Sequence, residues 1–292
     1  MIVIFNPTAG RRRASLLWRV LDHLVLNGIK LELAETRHAG HATELAREAA
    51  SGGKRIVVAA GGDGTIAEVA AGLAGNAASL GIIPLGTANV LAAELGLPHA
   101  PREIAAALAF GRARVLWPGI ATSAQGQRLF VQMIGVGLDA LVVHHLPLGL
   151  KRVLGRGAYV LQTMAEIARY DFPPVSLMID GEPHTAASAV ICKGRLYGGN
   201  YPLALGADSA RPGFQVALFE RGGVVPALIS GAALPLGLLP RAPGLRFRSA
   251  TTIDILGDSR NNSPLAAQAD GDRAGFTPLS IRDAESPIHV II

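Results

Sequence analysis

Two rhythms of apolar and polar residues alternate along the first third of the chain. Met1–Phe5 is a short apolar run closed by Asn6-Pro7, the mark of a strand stopping at a turn. Over Ala14–Asn27, Leu17, Val20, Leu21 and Leu24 recur on one helical face, and Gly28 supplies a stop. Leu31–Glu35 reads as a strand and His41–Ser51 as a helix ended by Gly52-Gly53. Arg55–Ala60 is a strand, and Thr65–Ala74 carries Ile66, Val69, Ala70 and Leu73 on one helical face. Leu80–Pro84 is a strand and Ala88–Leu95 a helix. This repeated order predicts a parallel sheet covered on both faces.

After about Arg112 the rhythm changes. Val115–Val131 and Val175–Ile292 break into short strands split by Gly, Pro, Asn and Asp, among them Val175–Ile179, Ala187–Cys192, Phe214–Phe219, Thr251–Leu256 and Leu279–Arg282. Leu154–Arg169 reads as a helix between them. The expected division is an α/β domain over 1–114 and a strand-rich domain over 115–283. The longest uncharged run, Gly222 to Pro240, is interrupted by Pro226, Pro235 and Pro240, which argues against a membrane span. It is expected to be a buried helix between two strands.

Half of the 292 residues are hydrophobic, enough for a sizeable core, and the 35 glycines and 18 prolines are spread as turns rather than gathered in a linker. The single cysteine, Cys192, excludes an internal disulfide and a multi-cysteine metal site, and its apolar strand makes it a core residue. The N-terminus does not have the form of a secretory signal, so a cytoplasmic location is expected. The net charge is +5, with basic groups at Arg11-Arg12-Arg13, at Lys151, Arg152 and Arg156, and at Arg241, Arg246 and Arg248. These suit nucleotide phosphates or an anionic membrane surface, met peripherally at its inner face. They equally suit a solvated surface. Aromatic-rich RNA motifs are missing, so no nucleic acid partner is expected.

The candidate chemistry lies in three loops. Gly61-Gly62-Asp63-Gly64-Thr65 follows a strand and opens a helix, where glycines allow close approach and the first amides of the helix favour an anion. Asn6-Pro7-Thr8-Ala9-Gly10 and Pro84-Leu85-Gly86-Thr87-Ala88-Asn89 follow other strands of the same kind. All three would lie at the C-terminal ends of parallel strands, the edge where such sheets bind ligands. Together they suit a polyphosphate. Neither a GxxxxGK(S/T) loop nor a GxGxxG fingerprint is present.

NPTAG (6–10), GGDGT (61–65) and PLGTAN (84–89), in this order and spacing, resemble the diacylglycerol kinase catalytic family, which includes bacterial lipid kinases and sphingosine kinases and is distantly related to NAD kinases. IGVGLDA (134–140), KRVLGRGAYVL (151–161), YGGN (197–200) and QADGD (268–272) extend the resemblance over the chain. It implies an NAD kinase/diacylglycerol kinase-like fold. The N-terminal α/β domain is completed by a strand at about 284–292, a C-terminal β-sandwich follows, and ATP lies between the two. Carried over by position, the nucleotide would meet Asn6, Pro7, Thr8, Ala9, Gly10, Thr36, Gly61, Gly62, Asp63, Gly64, Thr65, Ile66, Ala67 and Thr87. Asp63 would hold catalytic Mg2+. The family's general base is a glutamate in a DGE triplet, and here Asp272 ends the corresponding Asp270-Gly271-Asp272. The implied activity is transfer of the γ-phosphate of ATP to a lipid hydroxyl, with diacylglycerol the leading acceptor.

This chain departs from the family at two more places. Val90 stands where members often read GTAND, and Pro212 stands where bacterial members often bind a structural magnesium through Asp-Gly, with Asp208 nearby. An NAD-kinase-like enzyme with a soluble acceptor and a non-catalytic nucleotide- or lipid-binding protein are the alternatives. The adjacent His144-His145 would not face one ligand. Asp139 reads either as a loop cap or as a site residue of the second domain. The acceptor lipid stays open, as does the oligomeric state, with a homodimer allowed.

Overall fold

The computed structural model describes residues 1–8, 14–146 and 156–292, with side chains of the last stretch from residue 162 onward. The chain divides into two compact units, Met1–Pro118 with Ala284–Ile292, and Gly119–Asp283.

The first unit runs β1 (Ile2–Phe5), α1 (Ala14–Leu26), β2 (Glu32–Glu35), α2 (His41–Ser51), β3 (Ile56–Gly61), α3 (Asp63–Leu73), β4 (Ser79–Pro84), α4 (Val90–Glu94), α5 (Pro101–Phe110) and β5 (Ala113–Leu116). The chain's closing strand, Ile288–Ile291, inserts between β4, to which it is parallel, and β5, to which it is antiparallel. The resulting order is β2, β1, β3, β4, closing strand, β5. Val57 and Val58, whose side chains point to opposite faces, are both fully buried, so both faces of the sheet are covered. Leu17, Val20 and Leu24 of α1 and Ile104 and Leu108 of α5 share one core with Val3, Val58 and Ile83. The helices α2 and α3 pack closely at Gly72, where a Cβ would come within 2.5 Å of the Thr43 carbonyl. The helix α5 was not anticipated by the sequence pattern. A boundary at 114/115 would cut through β5, which is held in this sheet by the closing strand, so the division falls after Pro118.

The second unit contains β6 (Gly119–Ser123), β7 (Gly126–Phe130), β8 (Met133–Val136), α6 (Leu138–His145), α7 (Arg156–Ile167), β9 (Val175–Ile179), β10 (Glu182–Ala186) and β11 (Ser188–Cys192). It continues with β12 (Leu196–Tyr197), β13 (Tyr201–Pro202), β14 (Phe214–Phe219), α8 (Val224–Ala233), β15 (Leu245–Ala250), β16 (Ile253–Asp258), β17 (Ala266–Ala269), β18 (Asp272–Phe276) and β19 (Leu279–Asp283). The closing strand is then β20. Two six-stranded sheets form, ordered β10-β9-β16-β19-β6-β7 and β15-β14-β11-β8-β17-β18. Inward residues of both, such as Leu177, Ile255 and Ile281 from one and Ile134, Ile191 and Val216 from the other, share one core. This is a β-sandwich. Cys192 is buried in it.

One expectation is overturned here. The uncharged run 222–240 does hold a helix between two strands, α8, but none of its residues is buried. A helix apolar all round reads as buried from sequence, because periodicity cannot report what packs against it. Among the described residues, no helix is long and apolar enough to cross a membrane. The Arg11–Arg13 group, Lys151, Arg152 and the start of the expected helix at Leu154 lie outside the described residues.

Candidate functional site

The strands β1, β3 and β4 are parallel and in close register, with Phe5 beside Ala60 and Gly61 beside Pro84. Their loops therefore leave the sheet edge at one level. The chain order also reverses direction across the sheet between β1 and β3, and such switch points open a crevice at the C-terminal edge.

Side chains and backbone tie the three loops together there. The Asn6 carboxamide donates to Thr65 Oγ1 (3.1 Å) and accepts from the Thr8 amide (3.0 Å) and hydroxyl (2.8 Å). The Leu85 and Gly86 amides donate to the Gly61 carbonyl at 2.9 and 3.2 Å. The backbones of Gly62 and Gly86 touch: a Cβ on Gly86 would lie 2.5 Å from Gly62 Cα. Asn89, at φ 49°, donates from its side chain to the Gly86 carbonyl (2.8 Å). Asn6, Gly62, Asp63 and Thr87 thus belong to one rim on one edge. Thr87 and Thr8 are exposed, Pro7 is partly exposed, and Thr36 follows β2 with its amide donating to the Phe5 carbonyl (2.9 Å). Ala9 and Gly10 lie outside the described residues.

Two positions on the GGDGT side do not offer side chains to a ligand. Ile66 and Ala67 point into the core, and the Ile66 amide is spent on the Gly62 carbonyl (3.0 Å). The helical period turns them inward after the first turn of α3.

The Asp63 carboxylate is turned toward α4. It accepts from the Leu91 amide at 3.4 Å and faces the amides of Val90 and Asn89. Desolvation pushes its pKa above the ordinary 3.8, against the pull of those amides. Asp63 therefore clasps the PLGTAN loop to GGDGT, and Val90, through its backbone, is part of the clasp. A magnesium cage needs several oxygens around a hard cation. The Asp63 surroundings are amide hydrogens, which repel a cation, so these residues do not fit a metal held directly on Asp63. Those amides open α4 and already face the Asp63 carboxylate; the opening of α3 itself is what favours a ligand anion.

In the second unit the Gln-Ala-Asp-Gly-Asp stretch is the turn from β17 to β18. Asp270, at φ 50°, accepts from the amides of Val131 (2.8 Å), Gln132 (2.9 Å) and Met133 (3.0 Å). Gln268 accepts from the Gly271 amide (2.9 Å) and donates to Asp139 (2.7 Å), which also accepts from the Tyr197 hydroxyl. Asp139 is thus committed to internal donors, and burial pushes its pKa above the ordinary 3.8 against their pull. The result is a fixed turn that delivers Asp272 as the first residue of β18. Its side chain is 45% exposed, 3.9 Å from Arg128. Of the three carboxylates, Asp272 is the one presented to solvent.

His144 and His145 face different partners, the Ala267 carbonyl and Glu166. The pair is not a common ligand site. Among the described residues His38, His41 and Glu44 form a group with ligand atoms within 4.8 Å of one another, but the Arg37 amide donates to His41 Nδ1 (3.1 Å).

The implied structural magnesium at Pro212-Gly213 also does not fit. Lys193 Nζ lies among the carbonyls of Arg211 (2.9 Å) and Gly213 (2.8 Å) and the Asp283 carboxylate (2.7 Å). A positive charge already fills that cage. Asp208 instead accepts from the Ala210 amide (3.0 Å) and lies 3.3 Å from Arg211.

Sequence reasoning missed the work of Asn89, Glu68, Gln268 and Tyr197. Glu68 takes the Gly40 (3.0 Å) and Ala42 (3.2 Å) amides at the start of α2. Asn89 and Gln268 stood inside motifs already singled out, and Tyr197 opened another. Glu68 had no such signal.

Residues 1–117 match the family model described as the diacylglycerol kinase catalytic domain. A relative named "Probable lipid kinase YegS-like", from Xanthomonas euvesicatoria pv. vesicatoria (strain 85-10), is 35% identical over 222 residues, which cover 73% of this chain and 69% of the relative. This chain belongs to the diacylglycerol kinase catalytic family. A "Diacylglycerol kinase" of Bacillus subtilis (strain 168) is 36% identical over 184 residues, 62% of this chain and 59% of that protein's length. A solved structure described as a diacylglycerol kinase, from Bacillus anthracis str. Sterne, overlays with a TM-score of 0.71 at 19% identity, covering 99% of this chain and 95% of its own. Another chain from that organism overlays with a TM-score of 0.81 at 21% identity, covering 99% and 94%. At these identities the overlays speak for the fold.

Proposed function

We propose that this chain transfers the γ-phosphate of ATP to the hydroxyl of a membrane lipid, diacylglycerol or a close relative. The observation that carries the reading is the crossing of three glycine-containing loops at the β1/β3 switch point, with the opening of α3 as an anion site. Membership of a lipid kinase family supports it independently. In this reading the rim holds the phosphates, with Asn6, Gly62 and Gly86 keeping the backbone close and Asp63 fixing the loop beside them. The acceptor oxygen attacks the γ-phosphorus, the bond to the β-phosphate oxygen breaks, ADP leaves, and the hydroxyl proton passes to Asp272. Asp272 is preferred over Asp270 and Asp139 because its side chain reaches solvent, whereas Asp270 is buried and Asp139 is desolvated. Magnesium, where the nucleotide carries it, would neutralise the charge of the phosphates, and Asp63 is not among the residues that would hold it. Because the acceptor lives in a bilayer, the same reading puts the chain peripherally at the inner face of an anionic membrane.

The test is ATP consumption by the purified chain with detergent-dispersed diacylglycerol, phosphatidylglycerol or a sphingoid base, against NAD as a soluble acceptor. A phosphorylated lipid is the expected product. Asp272→Asn should lower turnover by about 10² to 10⁴ while ATP affinity stays nearly constant. Near-normal turnover in Asp272→Asn sinks the base assignment. Turnover on NAD alone sinks the lipid reading.

A further inference from the structure

The connection between β14 and β15 turns apolar side chains to water. It is a folded element: the Glu220 amide donates to the Gly244 carbonyl (2.8 Å) at its base, and the Leu238 amide donates back to the Ala233 carbonyl (3.0 Å) to wrap the end of α8. Its anchors in the fold are Leu239 and Ala242, both buried. Val225 and Leu236 are 66% and 70% exposed, and Val224, Leu228, Ile229 and Leu238 between 40% and 48%. Soluble surfaces scatter single apolar residues; a run of this kind along one element marks an interaction site.

The charges around it say what it meets. From Gly222 to Pro240 no residue is charged, while Arg221, Arg241, Arg246 and Arg248 stand at its flanks. Glu220 is the one carboxylate between 220 and 250, and it lies 2.8 Å from Arg246. An apolar stretch flanked in sequence by exposed arginines matches hydrocarbon beneath anionic headgroups. A second copy of the same element would bring arginines against arginines, with Glu220, already paired with Arg246, the one acid of the element to answer them. Nor can α8 span a bilayer, since its 10 residues reach about 15 Å and a hydrocarbon core is about 30 Å thick.

We propose that this connection is the element by which the chain docks on an anionic phospholipid bilayer, with α8 and Leu236 entering the acyl boundary and the arginines at the phosphates. It rests on the lipid kinase reading for why a bilayer is met at all.

The experiment is co-sedimentation of the full chain with phosphatidylcholine vesicles, with and without phosphatidylglycerol, in the absence of nucleotide. Val225→Asp/Leu236→Asp, at two exposed positions, should keep the wild-type circular dichroism and melting temperature and lose at least tenfold in affinity for the anionic vesicles. In Leu228→Trp, emission above the wild-type background should shift to the blue on binding and be quenched by brominated acyl chains. Unchanged vesicle affinity in the double variant, no added quenching, or no vesicle binding by the wild type overturns the assignment. So does a wild-type dimer that the double variant dissolves without vesicles, which would give this face to a second copy. Vesicle binding needs no phosphoryl transfer. A chain that docks through α8 yet phosphorylates no lipid keeps this surface and loses the kinase reading. A double variant active on dispersed diacylglycerol and inactive on vesicles keeps both.

Discussion

At Gly86 the site depends on a missing side chain. Its Cβ would meet Gly62 Cα at 2.5 Å and Asn89 Oδ1 at 2.7 Å, and the backbone cannot yield as the end of a side chain can. Gly86→Ala should cost about 1–3 kcal/mol of stability and weaken nucleotide binding by tenfold or more, readable by thermal melts and ATP titration; an unchanged ATP affinity would separate this crossing from the phosphate site. Asp139 gives a pH test. Its folded pKa lies above the unfolded 3.8, so the folded carboxyl holds its proton more tightly. The stabilisation is complete below 3.8 and is lost as pH rises through the folded value. Asp139→Asn cannot ionise, so the stability of the wild type relative to this variant should fall as pH rises from 3 towards neutrality, read by thermal melts of both at a series of pH values. A flat difference would mean that the carboxyl is not desolvated. The sequence alone left Asp139 between cap and site residue; its partners Tyr197 and Gln268 lie too far along the chain for any local pattern to reveal them.

Between elements, Lys193 is the fastening. It follows β11 of one sheet, pairs with Asp283 at the end of β19 in the other, and holds the carbonyls of the loop that enters β14. Burial pushes its pKa down, and Asp283 pulls it back up. Lys193→Met would leave Asp283 and two carbonyls short of a cation. Breaking a buried pair from one side costs about 3–5 kcal/mol, so the melting temperature should drop by roughly ten degrees. The wild-type melt should not move on addition of a chelator, because the ammonium does the work assigned to a metal by resemblance; a clear drop with chelator would refute this. Pro212 announced in the sequence that the usual ligand was missing. That a lysine supplied the charge was not legible, since nothing in the spacing of 193, 211 and 283 marks them as neighbours. The helix α8 teaches the complementary lesson: its apolar run was read correctly as a helix, and its exposure was invisible.

At the scale of the molecule, the chain's end completes its beginning. Ile288, Val290 and Ile291 of β20 are buried between β4 and β5. A chain ending at Asp283 would open the edge of β4 and leave β5 unpaired. We expect residues 1–283 to lose ATP binding and the cooperative melt of the first unit, measured by titration and calorimetry; retained ATP binding would show that the four parallel strands suffice. The sequence by itself determined the succession of strands and helices in 1–95, the change to short strands after them, the loops at the strand ends and the family those loops belong to. Each of these is written within a short window, through side-chain period and turn residues whose backbone demands are local. Tertiary structure alone decided that Asp63 clasps α4, that Asp270 is spent on three amides while Asp272 is presented, that Lys193 fills a carbonyl cage, and that α8 faces water. These depend on which distant groups compete for the same hydrogen bonds and the same buried space, and that competition is settled only when the chain is folded.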